Sequence, residues 1–394
     1  MFAAGFALLA LLVTRAGQRP SAGRFAALGL GVALVALVRP GNAVLLGLVL
    51  FPLVLSGRWG EKLGWAAAFF AAAVLPLAGW SVHNGLRFGD YSLARGGDAV
   101  IPFYRAFITD HIISPENGPA SRRLANAMRE HLLTREPYRA YGVTLDELFR
   151  NGSFRVHEDL YNLSDEVFGW NDNYRVLRDA GIEAVRAHPG TYASGVAGTV
   201  WHELSRAYFR ELPSSSPAPS SGQSKLATIV VHGRRLPTPS EGQPIPGGQN
   251  AWISTPDQSI RQVWTSPTRY HFEFAHPQDK ARFDQINHEV NQLFAALPDR
   301  AGNAQLALRL NQLSRWFPRP DLWIALGIVA LVVRRPRGSP TLIALALAAL
   351  SVVSLNALGL FTDLHFLLPV APAFVLFGLG ALLGERQRRS ALAG

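Results

Sequence analysis

The sequence predicts a mainly α-helical, polytopic membrane protein that carries a large extracytoplasmic α+β domain. Three observations predict it. Apolar residues gather in blocks at the two ends of the chain, while residues 83–320 between them are mostly polar. The blocks have the composition of membrane helices, and those at 63–82, 341–358 and 366–383 have the length as well. Four clusters of basic residues flank the blocks, and simple alternation of the helices puts all four on one side, as positive-inside topology requires.

Composition narrows the class. The chain has 394 residues, 48% of them apolar, a formal charge of +10 and no cysteine. The arginines lie mainly beside apolar blocks, which points to membrane flanks facing anionic lipid and away from nucleic acid. Without cysteine there is neither a disulfide nor a thiolate metal site, and the compartment stays open. The start, Met1 to Phe6, has no basic segment and no small-residue cleavage site of the kind a signal peptide carries.

The N-terminal bundle, 1–82, reads as helices at 2–14, 25–38, 43–55 and 63–82. The first is short: thirteen residues rise about 20 Å, against a hydrocarbon core of about 30 Å. With Met1 outside in half a helix, an N-terminal portion holding a further span and an acidic loop is expected ahead of it. The next two blocks are broken at Arg39, Pro40, Gly41 and Asn42, as two thin spans or one re-entrant hairpin. The block 63–82 is a full span that tolerates Pro76. From Gly79 to Gly97 the chain leaves lipid, with Trp80 in the headgroup zone and Gly96 and Gly97 free to adopt unusual backbone angles.

Within 83–320, helices are expected at 121–133, 174–187, 191–209, 282–297 and 303–317. Phe283, Ile286, Val290, Leu293, Phe294 and Leu297 share one helical face, and 303–317 is expected to lie on the membrane surface. Residues 269–275 alternate as a strand does. The Pro-, Ser- and Gly-rich stretch 213–248 reads as a mobile loop. The C-terminal bundle, 321–394, follows with helices at 322–333, 341–358 and 366–383. The basic clusters are 15–24, 56–62, 334–340 and 385–389, so 83–320 is placed outside the cytoplasm.

Most motifs have plain explanations. The His-Glu pairs at His157, His202 and His288 lack the second histidine of a zinc-protease helix. Gly79 to His83 does not end in the glycine of a nucleophile elbow, and Gly29 with Gly31 suits helix packing. Asn151 and Asn162 begin glycosylation-type triplets that arise often by chance. Asp90, Asp98 and Asp110 read as solvated loop carboxylates. Arg39 is different, because a cation between two apolar helices either snorkels to the interface or holds an anion such as a lipid-linked phosphate.

Three stretches together resemble the GT-C glycosyltransferases, the superfamily of protein O-mannosyltransferases and lipid A aminoarabinose transferases. The first is Arg39-Pro40-Gly41 after a short apolar helix. The second is Gly79-Trp80-Ser81-Val82-His83-Asn84 with Gly89, Gly96 and Gly97, similar to the family's Pro-Trp-x-x-Arg-Asn segment, with His83 where arginine is usual. The third is Leu364-His365-Phe366 running to Pro369 and Pro372. It is similar to a Glu-Arg-Tyr-x-x-Pro-x-x-Pro helix start, differing at its first three positions. A weaker fourth is His188-Pro189 with Tyr192. The resemblance implies transfer of a sugar from a polyprenyl-phosphate donor to an acceptor lipid, glycan or protein on the outer face of the inner membrane. It implies donor-phosphate and substrate contacts at Arg39, Asn42, His83, Asn84, Arg87, Gly96, Gly97 and His365. It leaves a divalent metal open, and the family's catalytic acidic loop has no counterpart in this sequence. An O-antigen-type polymer ligase and a non-catalytic membrane scaffold are the competing classes.

Overall fold

A computed structural model describes residues 2–135, 138–139, 141–152, 154–206, 229–231, 234–236, 250–253, 259–264, 270–296, 309, 312–313, 317–334, 336, 338–359 and 367–384. The expected helix 303–317, the tail cluster 385–389 and His365 lie wholly or mostly outside the described residues. The chain is mainly helical and folds as two compact units. The first comprises Met1–Gly97, Ser194–Arg210 and Gln312–Gly394, and the second Asp98–Ala193 and Glu211–Asn311.

The first unit contains α1 (Phe2–Gln18), α2 (Ala22–Val38), a 3₁₀ helix (Pro40–Val54), α3 (Trp59–Phe88), part of α9 (Pro189–Ser205), α11 (Pro320–Arg334), α12 (Ser339–Gly359) and α13 (Ala371–Leu383). Two of these, α3 and α12, are long and apolar enough to cross a membrane. The expected block 43–55 is a 3₁₀ helix, not an α-helix. Two prolines, two glycines and three valines among its fifteen residues weaken the α alternative. The consequence is reach. At about 2.0 Å per residue, fifteen 3₁₀ residues extend about 30 Å, where an α-helix would extend about 22 Å. The block therefore reaches further than an α-helix of the same number of residues. Four of its five buried residues, Asn42, Leu45, Leu48 and Phe51, recur every third position, as three residues per turn demands.

One aromatic and aliphatic core joins these helices. Phe25 of α2 stacks on Trp65 of α3 at 5.9 Å and meets Phe51 edge-on at 5.8 Å. Gly29 of α2 lies against the backbone carbonyl of Phe69, where any Cβ would collide, so the helix-packing reading of this glycine holds.

The second unit holds α4 (Gly97–Ile108), α5 (Pro119–Ala127) running into a π turn (Met128–Leu132), α6 (Leu145–Arg150), α7 (Phe154–Val167) and α8 (Arg175–Ala187). It also holds two small antiparallel sheets and α10 (Pro277–Ala296). Strands β1 (Ile229–Val231) and β2 (Arg234–Leu236) form a hairpin inside the stretch expected to be a mobile loop. Strands β3 (Asn250–Ile253), β4 (Ile260–Trp264) and β5 (Tyr270–Phe274) form a meander. The expected strand 269–275 is β5, and its Phe272 and Phe274 rings rest on Phe283 of α10 at 5.4 and 5.3 Å.

Polar groups tie this helical core together. The Arg105 guanidinium donates to both oxygens of Asp110, at 2.8 and 3.0 Å, with both side chains buried. Asp110 is thus not the solvated carboxylate the sequence suggested. Asp90 is not one either: it is half-buried and accepts from the Ser92 N–H and hydroxyl at 2.9 and 2.7 Å. Glu183 of α8 caps α5, accepting from the Ala120 and Ser121 N–H groups and the Ser121 hydroxyl. Burial pushes its pKa up, but those bonds and Arg122 more than offset this and hold it below the usual range.

Candidate functional site

The two ends of the first unit differ in chemistry. At one end, Gly17 of α1 closes on Thr341 of α12, and Phe25 meets Trp65. The Lys62 ammonium also reaches the Leu53 carbonyl there, at 3.1 Å. Arg15, Arg19 and Arg24 flank the α1–α2 turn at that end, Arg58 and Lys62 the start of α3, and Arg334 the turn into α12. Three of the four basic clusters therefore share one end of the bundle.

At the other end, Arg39 is half-buried where α2 gives way to the 3₁₀ helix. Gly41 lies against Leu355 of α12 there. The Arg39 Nη2 donates to Asn356 Oδ1 at 2.7 Å. Because a guanidinium can only donate, this bond fixes the amide: its oxygen faces Arg39 and its Nδ2 points away. Among the described residues, that Nδ2 is shielded from solvent and has no hydrogen-bond partner. A buried donor without an acceptor costs about 1–3 kcal/mol. A fixed cation beside an unsatisfied N–H₂ suits a ligand with several acceptor oxygens and negative charge, which describes a phosphate.

Asn42, by contrast, is spent on the fold. Its Nδ2 donates to the Val35 carbonyl at 3.2 Å, closing the last turn of α2. The stretch after α3 is likewise mostly structural. Gly89 ends α3 in the left-handed region at φ 73°, and residues 90–96 fold back on the helix. Asn84 Nδ2 donates to the Ser92 carbonyl at 3.0 Å and Trp80 Nε1 to the Leu93 carbonyl at 3.2 Å. The Ser81 hydroxyl donates to the Tyr91 carbonyl. The Tyr91 ring covers Gly85, where a Cβ would overlap it. Leu93 packs on Ala33, Ala36 and Leu77 with Ala43 and Leu46. This fold-back explains why the first unit runs to Gly97 and not to 82.

The residues singled out from the sequence therefore separate. Arg39 sits beside a shielded amide donor in a geometry that suits an anion, and Asn42 and Asn84 serve as caps and ties. His83 is exposed and stacks on Trp80 at 5.5 Å. Arg87 is exposed with its guanidinium 5.7 Å from the Phe88 ring. Gly96 turns the chain at φ 72°, and Gly97 opens α4. Sequence reasoning missed Asn356. The signal was there, an amide side chain inside an apolar span, which is expensive in a membrane and marks function by default.

In the second unit, His157 is buried among Phe103, Tyr104 and Tyr161, with the Tyr104 ring 3.9 Å away edge-on. Burial lowers its pKa to about 3, so it is neutral at any physiological pH. The Tyr161 hydroxyl, also buried, has its pKa raised by burial and by Tyr174. Asp159 accepts from Tyr138 at 2.5 Å and Asp165 from Tyr174 at 3.0 Å. Among the described residues no three His, Cys, Asp or Glu side chains gather as a metal site. No protein-family model matches the chain, and neither the curated proteins nor the solved structures searched include a match to it.

Proposed function

We propose that this is a multi-pass inner-membrane glycosyltransferase of the GT-C kind. It would move a sugar from a polyprenyl-phosphate donor to an acceptor lipid, glycan or protein on the extracytoplasmic face. The observation that carries the reading is the Arg39–Asn356 pair at the bundle end opposite three of the four basic clusters. With the basic end in the cytoplasm, this pair lies at the outer headgroup level, where a lipid-linked phosphate would sit. As the sugar leaves, negative charge grows on that phosphate, and a fixed guanidinium stabilises it more in the transition state than in the ground state.

The test is turnover of a polyprenyl-phosphate sugar by the complete enzyme in proteoliposomes, at matched abundance of each variant. Arg39→Ala is expected to lose about 2–4 kcal/mol of transition-state stabilisation, the cost of one such donor. Arg39→Lys should restore only part of it, since a point charge replaces a two-pronged grip. Near-normal turnover in both variants would remove the phosphate role. Essential histidines and arginines confined to residues 83–320 would favour the O-antigen-type ligase instead.

A further inference from the structure

The second unit concentrates unexplained costs at one place, where α7 meets the turn into α8. Tyr161 and Ser164 lie three residues apart on one face of α7, about 4.5 Å along its axis. Among the described residues, neither the Tyr161 nor the Ser164 hydroxyl has a hydrogen-bond partner, and both are shielded from solvent. A shielded hydroxyl without a partner lowers stability and calls for an explanation. The backbone adds to the cost. Asn173 and Tyr174 both stand in the left-handed region, at φ 50° and 57°. Asparagine tolerates that region, whereas a residue as bulky as tyrosine adopts it rarely. What the strain achieves is visible in the rings. Tyr174 stands edge-on to Tyr161, with centroids 4.6 Å apart and planes at 71°, and its hydroxyl donates to Asp165 at 3.0 Å. Both rings are half-buried, so part of each meets solvent. Trp170, also half-buried, and Asn171, exposed, stand in the same turn.

We propose that the corner between Tyr161 and Tyr174 binds the pyranose ring of a neutral saccharide, whose hydroxyls satisfy those of Tyr161 and Ser164. The inference goes beyond the transferase reading and does not rest on Arg39. The C–H bonds on one face of a pyranose carry slight positive charge, which suits the negative face of an aromatic ring. The second ring, nearly perpendicular, bounds that stack from the side. A hydroxyl both gives and accepts a hydrogen bond, so Tyr161 and Ser164 are matched by a ligand bearing several hydroxyls. The buried carboxylate of Asp165 beside them repels anions, which disfavours phosphates and nucleotides. An internal water would satisfy the two hydroxyls but gives no reason for the strained backbone of Tyr174, whereas a ligand clamp does. Relief of that strain lowers the cost of the ring movement that admits the sugar.

The experiment uses the full chain in phospholipid nanodiscs, because sugar-headed detergents would compete. The probes are the methyl α-glycosides of glucose, mannose and galactose, with sorbitol as the open-chain control. Saturation-transfer NMR reads which probe protons touch the protein, and titration gives Kd. At least one glycoside is expected to show transfer concentrated on the C–H protons of one ring face, and sorbitol none. Tyr161→Phe and Ser164→Ala should each weaken that glycoside about tenfold, a difference of about 1.4 kcal/mol. Their melting temperatures should hold or rise, because an unpartnered hydroxyl has gone. Tyr174→Ala should abolish binding, and Arg39→Ala should leave it unchanged, so this inference and the transferase reading fail separately. No transfer from any of the three glycosides, equal transfer from sorbitol, or unchanged binding in Tyr161→Phe would overturn the proposal. So would lower melting temperatures in both hydroxyl variants, the mark of an internal water that holds the fold.

Discussion

At the scale of single residues, two buried polar groups make opposite predictions. His157 keeps its neutral form down to about pH 3 in the fold, while an unfolded chain protonates it near 6.5. Above 6.5 both states hold it neutral, and the shift has no effect. Between 6.5 and about 3 the unfolded chain gains a proton that the native one refuses, so stability falls as pH falls, by up to roughly 4–5 kcal/mol. His157→Phe, in a site already ringed by aromatics, should flatten that dependence. Urea unfolding of wild type and variant at pH 7.5 and 4.5 measures it, and parallel pH slopes would contradict the assignment. Asn356→Leu removes an unsatisfied donor but also the acceptor of the Arg39 guanidinium, so the two effects offset and stability should stay within about 1 kcal/mol while turnover of a polyprenyl-phosphate sugar falls. A fall in both would make Asn356 a structural residue.

At the scale of elements, packing at single glycines decides which helices tolerate change. Gly29 touches the Phe69 carbonyl, so Gly29→Val should cost about 1–3 kcal/mol by overpacking the α2–α3 contact. Gly64 on α3 faces open space, and Gly64→Ala should be neutral or stabilise by about 0.5–1 kcal/mol. Thermal melts of the two variants in one detergent compare them directly, and equal melting points would refute the contact. The apolar helices were legible because their blocks are long and their neighbours charged. Helices α4 and α7 were not. Their apolar stripes are interrupted by residues that are nonetheless inside the core: Arg105 in α4, and His157, Asp159, Ser164 and Asp165 in α7. Polar side chains inside the core, such as Arg105 paired with Asp110 and Asp159 with Tyr138, defeat a reading based on periodicity. The 3₁₀ form of 40–54 was hidden differently, since an almost wholly apolar segment shows no contrast between a period of 3 and one of 3.6.

At the scale of the whole molecule, the shared end of the basic clusters leads to a test of sidedness. The chain has no cysteine, so Ser240→Cys and Ser339→Cys can be labelled cleanly with an impermeant thiol reagent on intact cells. The Ser240 position should react and the Ser339 position should not. Equal reaction would end the extracytoplasmic chemistry. Of the candidate site, Arg39 was legible as a costly cation between apolar blocks. Its partner Asn356 was not, because the contact arises from α12 packing on the 3₁₀ helix, a pairing that no local pattern announces.

The 3₁₀ helix also sets a rule for how this protein can change length. An α-helix that loses three or four residues nearly restores its face, whereas here each residue turns the stripe Asn42, Leu45, Leu48, Phe51 by a third of a circle. Insertions and deletions in chains built on this bundle should therefore come in threes, each moving the Arg39 end by about 6 Å. The segment behaves as a ruler graduated in whole turns. Chains adapted to bilayers of different thickness would carry twelve, fifteen or eighteen residues there, about one 3₁₀ turn per step.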